Sequence, residues 1–444
     1  MTDRPTFAPP CGPVVGRSDA DAQVVRATGI PYARAERFQA PVAVDDWSEP
    51  LAATRWSPAC PQAPVPFLAR VLGGELGAQV TDEHCQNLSV TLPPDALPGD
   101  RLPVMVWIHG GSYTSGAGDV PMMDPAPLVA EQRVVVVTVT YRLGLFGYLG
   151  GGPGRPANLG LLDQLAALRW VQRNIAAFGG DPRQVTAFGQ SAGGDAVAHL
   201  MSVPGAASLF TRAIVQSAPL GIARGRRAMN AAMLAAADGV TERTPAAQVV
   251  AQQVRVAAAA RGSGLRAAMP FGTQYGHAPL PAEDAVDAAW DAVAPDVDVL
   301  VGHTSEEARL FVREVPAVRR VVALPVVGPL VQRGLVAVVT AAVYGRASRR
   351  FARRHARAGG RAHHYVLSWS APGSPWGAAH TVDLPLLFGD EATWARAEIV
   401  EGATWEQVQS AGREVRAVWG AFARGEDLGP RRDVEGVLRY AAVR

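Results

Sequence analysis

The feature of this sequence that most constrains its fold is a series of short apolar segments that alternate with segments of helical periodicity. Pro103–His109 (PVMVWIH) and Val134–Thr140 (VVVVTVT) are apolar almost throughout, which is typical of strands covered on both faces. Asn158–Phe178 carries apolar residues at helical spacing, and Gln184–Phe188 (QVTAF) precedes a return to helical spacing from Ser191. A strand, a helix and a strand at this spacing form a parallel pair with a crossover helix. The sequence therefore predicts an α/β fold with a twisted, mostly parallel central sheet and flanking helices.

The later part of the chain continues this pattern and adds helical material. Asp296–Val301 and His364–Trp369 are predicted as two further strands. Alanine-rich helical stretches occupy Arg226–Arg266 and Val312–Arg357, and no repeat or Gly/Ser-rich linker divides the chain. We expect one domain over residues 1–444, with helical cap insertions near residues 222–290 and 312–360 that cover the strand ends.

The charge and the cysteines exclude several classes of function. The 42 basic residues, all arginine, nearly balance 40 acidic ones, so the formal charge of +2 gives no reason to expect nucleic acid or an anionic membrane as partner. Three cysteines without a C-x-x-C spacing predict neither a disulfide scaffold nor a zinc site, and no metal or other cofactor is expected.

The chain shows no predicted membrane span. Its most apolar window, Val321–Val343, is interrupted by Pro325, Pro329 and Arg333. Residues 1–24 lack the continuous apolar stretch of a secretory signal. We therefore expect a cytoplasmic protein with reduced thiols. Its oligomeric state is not predicted.

Gly189-Gln190-Ser191-Ala192-Gly193 fits the pattern G-x-S-x-G and falls between a predicted strand and a predicted helix. A nucleophile elbow needs this setting, because the sharp turn strains the backbone at the serine and small flanking residues avoid clashes. The helix that follows also favours negative charge at its first residues. The alternative is a glycine-rich turn with an incidental serine. The context favours Ser191 as a nucleophile.

A second glycine motif, His109-Gly110-Gly111, directly follows a predicted strand about 80 residues upstream of Ser191. Attack on an ester carbonyl places negative charge on its oxygen, and backbone N–H groups can approach that oxygen only without side-chain obstruction. Gly110 and Gly111 therefore predict one side of an oxyanion hole, and the N–H of Ala192, after the nucleophile, the other. A plain tight turn is the alternative. His109 is expected to be a structural hydrogen-bonding residue.

The remaining catalytic groups are sought downstream, because α/β-hydrolases place the acid and then the base after the serine. The acid is expected in the loop after the strand at Asp296–Val301, where periodicity alone does not separate Glu306 from Glu307. Either could instead be a charge at the start of the next helix. His380 lies in a loop after a predicted strand, which favours it as the base over the downstream histidines in helix or strand, namely His355, His363 and His364.

Together these residues resemble the type B carboxylesterase and cholinesterase-like family, in particular its para-nitrobenzyl-esterase-like bacterial members. The resemblance extends over most of the chain. It is carried by Gly29–Ala33, Arg37-Phe38, Tyr141–Gly144, Gly160–Gln164, Ala167–Val171, Asn174-Ile175, Phe178–Pro182, Ala213–Ser217 and Trp419–Arg424.

The resemblance implies an α/β-hydrolase fold and assigns roles that spacing left open. It implies Glu307 as the acid, His380 as the base, and Gly110, Gly111 and Ala192 as oxyanion donors. It also implies two structural ion pairs, Arg37 with Glu83 and Arg142 with Asp163, which we expect to be partly buried. The expected function is a serine carboxylesterase that hydrolyses small-molecule esters through an acyl-enzyme, without a cofactor.

Some residues depart from the family pattern. Gln190 stands where glutamate is commoner, which removes a negative charge beside the nucleophile. Thr140 replaces an asparagine, and Ala218 and Ala308 replace glycines. Cys60 and Cys85 match the positions of a loop disulfide in secreted relatives, and we expect free thiols here.

Two other functions remain open from the sequence. Some relatives keep the fold, lose the nucleophile and act as non-catalytic binding proteins, although this chain keeps every predicted catalytic residue. The second open function is hydrolysis of amides or carbamates. The triad does not exclude it, because contacts in the pocket select the leaving group. The acyl and alcohol preferences are not predicted. Five aromatic residues are candidates for the pocket walls: Trp47, Phe67, Tyr113, Phe311 and Trp376.

Overall fold

The computed structural model describes residues 4–74, 79–312, 314, 316–322, 324–325 and 327–444. The main element is an 11-stranded sheet. In spatial order its strands are Arg431–Val434, Leu438–Val443, Ala362–Leu367, Asp298–Thr304, Arg212–Gln216, Gly180–Gln190, Leu102–Ile108, Val135–Val139, Asn87–Leu92, Val24–Pro31 and Arg17–Asp19.

The centre of this sheet is parallel and its ends are antiparallel. The six strands from Ala362–Leu367 to Val135–Val139 run parallel to one another, and the outer ones pair antiparallel. The sheet is thus mixed, and the expectation of a mostly parallel one holds for its centre. At each end the two outermost strands, Arg17–Asp19 with Val24–Pro31 and Arg431–Val434 with Leu438–Val443, are joined by a short turn, which leaves no room for the crossover helix that parallel pairing needs.

Both faces of the central strands are covered. Val135–Val139 is buried at every position, as its apolar pattern predicts, and the buried side chains form two large clusters that between them take up both faces of the strands. The longest helices packed there are Leu159–Asn174 and Trp405–Ala423. The second begins with a capping box in which Thr404 and Gln407 exchange hydrogen bonds.

The two predicted cap regions are helical but more divided than their sequence suggests. In the first, helices occupy Arg227–Ala236, Ala246–Ala258 and Val286–Val293. A turn at Gly239, with φ of 82°, and Pro245 separate the first two, because neither residue favours the interior of a helix. The other short α-helices among the described residues are Pro66–Leu72, Ala126–Gln132, Gly144–Gly147, Ala192–Leu200, Arg309–Val312, Leu384–Leu387 and Glu391–Trp394.

In the second cap region, helices occupy Pro316–Val322, Val327–Thr340 and Arg346–Arg357, with a π-helical turn at Ala341–Gly345 between the last two. Positions 313, 315, 323 and 326 of the predicted helix lie outside the described residues. No helix of the described residues is long and apolar enough to cross a membrane.

Both ion pairs implied by the resemblance are present. Arg142 and Asp163 are fully buried, with 2.7 Å between Nη2 and Oδ1, and Arg37 Nε lies 2.7 Å from Oε2 of Glu83. Cys11, Cys60 and Cys85 are free and buried. The backbone N–H of Leu143 donates to Sγ of Cys60 at 3.3 Å.

Candidate active site

Ser191 occupies a sharp turn between the strand Gly180–Gln190 and the helix Ala192–Leu200. Its backbone has φ of 59° and ψ of −124°, a conformation that costs a non-glycine residue free energy and recurs at functional sites. Its N–H donates to the carbonyl of Gln216 at 2.9 Å, which anchors the turn to the neighbouring strand. The residue is only partly buried, so its side chain can be reached from outside.

Close backbone packing explains the glycines on each side of Ser191. A Cβ on Gly193 would lie 1.9 Å from the carbonyl oxygen of Ile108, and one on Gly189 would lie 2.6 Å from that same oxygen. The turn and the end of the strand Leu102–Ile108 therefore touch through their main chains. Any side chain at position 193 would separate them.

The glycine pair that follows this strand lies beside Ser191. A Cβ on Gly110 would lie 3.2 Å from Cβ of Ser191, and Gly111 has φ of 113°, which L side chains rarely adopt. Ala192 is fully buried at the first position of its helix, where backbone N–H groups have no partner within the helix. Gly110 thus packs against the serine turn, with Gly111 next to it in the chain, and Ala192 directly follows the serine.

His109 has a structural environment. Its Nδ1 lies 2.8 Å from the carbonyl oxygen of Gly110, and its ring stacks on Tyr141 at 4.4 Å. Burial lowers the pKa of His109 to about 4, so the ring is neutral at physiological pH. This agrees with the structural role expected for it.

The acidic pair separates into two environments. Glu307 is fully buried, and its Oε2 lies 2.5 Å from Nδ1 of His380, while its Oε1 accepts a hydrogen bond from the N–H of Thr304 at 2.7 Å. Burial alone raises the pKa of Glu307, but the charge and hydrogen bond of His380 outweigh it and hold the pKa below its usual value. Glu306 instead binds Arg309 and accepts from the N–H of Ala378, in the loop that carries His380.

The other ring nitrogen of His380 faces the serine turn. Its Nε2 lies 3.3 Å from Nε2 of Gln190, the residue that precedes Ser191. Among the hydrogen bonds of the described residues, none joins the hydroxyl of Ser191 to His380. The structure thus brings His380 next to Glu307 and to the serine turn, with the Gln190 amide at the nitrogen a base would use.

Two aromatic rings flank the imidazole. Those of Phe311 and Tyr344 have centroids 5.3 and 5.4 Å from that of His380. Phe311 is one of the five aromatic candidates for a pocket wall, whereas Tyr344 was missed because it lies in the π-helical turn, which no periodicity indicates.

The other four aromatic candidates make contacts of their own. Trp47 donates to the carbonyl of Pro13, Phe67 and Trp376 have ring centroids 6.0 Å apart, and the fully buried Tyr113 donates to Asp195 at 2.6 Å.

Sequence reasoning also missed a buried polar chain behind the site. Trp419 donates to Oε1 of Gln216 at 3.1 Å, and Nε2 of Gln216 donates to Oδ2 of Asp383 at 2.8 Å. Burial raises the pKa of Asp383 to about 6. The Asp-Leu-Pro sequence after His380 gave no sign that this carboxyl would be enclosed.

The fold and the site geometry define an α/β-hydrolase, and the comparisons agree. A model of the carboxylesterase family matches residues 3–322, and the chain belongs to this family. It is 36% identical over 428 residues to a probable N-octanoylanthranilate hydrolase of Rhodococcus erythropolis, covering 94% of this chain and 92% of that protein. It is 47% identical to the para-nitrobenzyl esterase of Bacillus subtilis over 196 residues, which span 43% of this chain and 39% of the relative.

Solved structures support the same assignment. A thermophilic para-nitrobenzyl esterase superposes with a TM-score of 0.76 at 28% identity, covering 94% of this chain and 90% of the other. A carboxylesterase of Geobacillus stearothermophilus gives 0.75 at 26% identity, covering 96% and 91%. The expected fold and family are confirmed, and the protein is a carboxylic ester hydrolase that acts on small-molecule esters.

Proposed function

We propose that ester cleavage proceeds through an acyl-enzyme on Ser191, with His380 as base, Glu307 as its acidic partner, and the N–H groups of Gly110, Gly111 and Ala192 as the oxyanion hole. The observation that carries this proposal is the buried hydrogen bond from Nδ1 of His380 to Glu307. The other nitrogen of the same imidazole, Nε2, faces the strained serine turn. The acceptor Glu307 holds the imidazole with its proton on Nδ1, which leaves the Nε2 lone pair free for a proton from serine.

The reaction has two halves. His380 Nε2 takes the Ser191 proton as the hydroxyl oxygen attacks the ester carbonyl, and the imidazolium then returns that proton to the departing alcohol. In the second half His380 takes a proton from water as the water oxygen attacks the acyl carbonyl. The imidazolium then returns that proton to Ser191 Oγ as its bond to the acyl carbon breaks and the acid leaves. In both halves the backbone donors stabilise the negative charge on the former carbonyl oxygen. Loss of one such donor lowers the rate about a hundredfold to a thousandfold.

In the enzyme without substrate, one side chain has to move before the first half of the reaction can begin. The Gln190 amide lies where Ser191 Oγ would contact His380 Nε2, so Gln190 has to turn away or the serine has to displace it. Such contacts commonly tighten only when substrate is bound.

A fluorophosphonate probe and a burst experiment with a p-nitrophenyl ester test the covalent step. We expect one label per chain on Ser191, a burst equal to the enzyme concentration, and a kcat lower by several orders of magnitude in Ser191→Ala. Ser208→Ala, at an exposed serine, is the matched control and should keep full activity. Labelling that persists in Ser191→Ala would assign the nucleophile elsewhere, and a chain that takes no label would contradict the acyl-enzyme on serine.

Amide hydrolysis is a second candidate. It is favoured by the 36% identity, over nearly the whole chain, to a probable N-octanoylanthranilate hydrolase, because an octanoyl group on an aromatic amine is held by an amide bond. Comparing kcat/KM for N-octanoylanthranilate and p-nitrophenyl octanoate on the same enzyme decides between them. A measurable rate on N-octanoylanthranilate that disappears in Ser191→Ala would support amide hydrolysis.

Two further expectations stay predictions: the single domain with two helical caps, and the cytoplasmic location.

A further inference from the structure

The second cap region exposes an unusual amount of apolar side chain. Five of the large apolar side chains that the described residues expose lie between positions 311 and 338. Leu330 and Val338, on the helix Val327–Thr340, are each 67% exposed, and Val331 beside them is 37% exposed. Leu330, Gly334 and Val338 are spaced four apart, so they share one side of the helix. We call Leu330, Val331, Ala337 and Val338 the apolar face.

The same helix continues into a row of arginines. The backbone stays helical through the π-turn Ala341–Gly345 into Arg346–Arg357, so the three elements form one rod. Arg346, Arg349, Arg350, Arg353 and Arg357, which we call the arginine row, are exposed and spaced three and four residues apart. Within the described part of the chain none of these five forms an ion pair, whereas Arg354 binds Asp287 and Asp291.

The apolar face and the arginine row lie on the same side of the rod. Because the π-turn between them changes the helical spacing, their relative placement follows from burial. Val338 and Arg349 are both exposed, whereas the buried side of the same rod carries Val336, Val343 and Phe351. The row borders a groove of about 1060 Å³, and among the described residues that line it Asp291 is the one carboxylate. The whole chain carries a formal charge of only +2, so the positive charge here is a local concentration.

Exposed aliphatic side chains next to unpaired arginines suit a lipid interface that is both apolar and anionic. Nucleic acid would neutralise the arginines and leave Leu330 and Val338 in water. A second copy packed through the same surface would bury the arginine rows of both copies in one interface, where unpaired charge is costly. We propose that the apolar face and the arginine row dock this protein on anionic lipid surfaces.

This surface lies close to the candidate active site. Phe311, at the start of the same cap region, is 40% exposed and its ring contacts that of His380. A docked molecule would therefore hold the site near the interface, where amphiphilic esters concentrate. This last consequence rests on the proposed function, whereas the docking itself does not.

Sedimentation with lipid vesicles tests the docking independently of catalysis. The full chain carrying Ser191→Ala is mixed with vesicles of phosphatidylcholine alone or with phosphatidylglycerol, at low and at high salt. We expect partition onto the phosphatidylglycerol vesicles that weakens as salt screens the arginines. Arg349→Ala/Arg353→Ala/Arg357→Ala should reduce the partition coefficient about a hundredfold. Leu330→Ser/Val338→Ser should reduce it about tenfold or more, because two aliphatic side chains no longer enter the interface.

A matched triple variant controls for the loss of positive charge alone. Arg4→Ala/Arg55→Ala/Arg101→Ala removes three exposed arginines outside the row and should change the partition less than threefold. With Ser191 restored, the row variant should hydrolyse p-nitrophenyl acetate like the parent, which establishes that it folds. No binding by the parent, or equal binding by the row variant, overturns the proposal. So does duplex DNA bound more tightly than vesicles, or a dimer that Leu330→Ser/Val338→Ser disperses.

Discussion

The side-chain amide of Gln190 lies 3.3 Å from Nε2 of His380, while Glu307 holds the opposite nitrogen of the same ring. An amide NH2 there donates to the lone pair that Ser191 needs for its own proton transfer. An amide can also present its oxygen to an imidazolium, so glutamine can contact both protonation states of the base, whereas a carboxylate favours only the charged one.

Removing the Gln190 amide should free the base for serine. Gln190→Met keeps the length of the side chain and removes its hydrogen bond, whose net strength is about 1 kcal/mol. We expect kcat/KM for p-nitrophenyl butyrate to rise by up to about fivefold at pH 8. A fall of tenfold or more would mean that Gln190 assists the base instead of competing with the nucleophile.

Adding a charge at the same position should change the pH profile. Gln190→Glu places a carboxylate beside the imidazole, which favours the protonated ring by Coulomb attraction. The acid limb of kcat/KM should move to higher pH by about one unit, and in Gln190→Met it should stay where it is in the parent. Profiles that coincide for Gln190→Glu and the parent would place the carboxylate away from the ring.

The two adjacent glutamates should differ greatly in their effect on rate. Glu307→Gln removes the acceptor that fixes the imidazole tautomer, and we expect kcat to fall about a thousandfold to ten-thousandfold. Glu306→Gln keeps the size of a side chain that binds Arg309 and the loop backbone, and it should lower kcat less than tenfold. Equal losses in both variants would point to damage of the His380 loop as a whole.

Asp383 should lower stability at neutral pH. Burial raises its pKa to about 6, above that of an unfolded aspartate. The stability that the protonated carboxyl contributes to the folded state is therefore fully present below about pH 4 and is lost as pH rises through 6. Asp383→Asn, which resembles the neutral acid, should raise the free energy of unfolding at pH 7.5 by at most about 3 kcal/mol. At pH 4 the two proteins should unfold alike. Denaturant titrations at both pH values measure this, and a variant less stable at pH 7.5 would contradict it.

The buried ion pair of Arg142 should matter more than an exposed one. Arg142→Met leaves Asp163 charged and fully buried, which costs about 3–5 kcal/mol of unfolding free energy. Arg173→Met breaks the half-exposed pair with Asp46 and should lower the free energy of unfolding far less, because water screens the two charges. Chemical denaturation of both variants gives the comparison. Similar losses would mean that Asp163 finds another partner or a proton.

The sequence predicted the parts of the molecule that local chemistry determines. The valine run at 134–140 forms a strand because β-branched apolar side chains favour a buried strand. The glycines around positions 110 and 191 lie in sharp turns because glycine allows close backbone contacts and positive φ angles. Arg212–Gln216 and the hairpin Arg431–Val443 were not predicted as strands, because both join the sheet by pairing with strands far away in the sequence.

The candidate site likewise has features that the sequence indicated and features that it did not. Chain order and family resemblance indicated Glu307 and His380, which the structure joins by a hydrogen bond. The contact of Gln190 with His380, the ring of Tyr344 beside it and the enclosed carboxyl of Asp383 arise from packing between segments far apart in sequence. No local pattern contains them.

The contact between Gly193 and the carbonyl of Ile108 has a practical consequence for engineering. This contact between the serine turn and the neighbouring strand is made by main-chain atoms, so it does not involve the side chains that surround the turn. Libraries that vary Phe311 and Tyr344, which flank His380, should therefore alter substrate selectivity while the serine turn keeps its contact with the strand. Diversity introduced at positions 189 or 193 would instead yield mostly inactive clones.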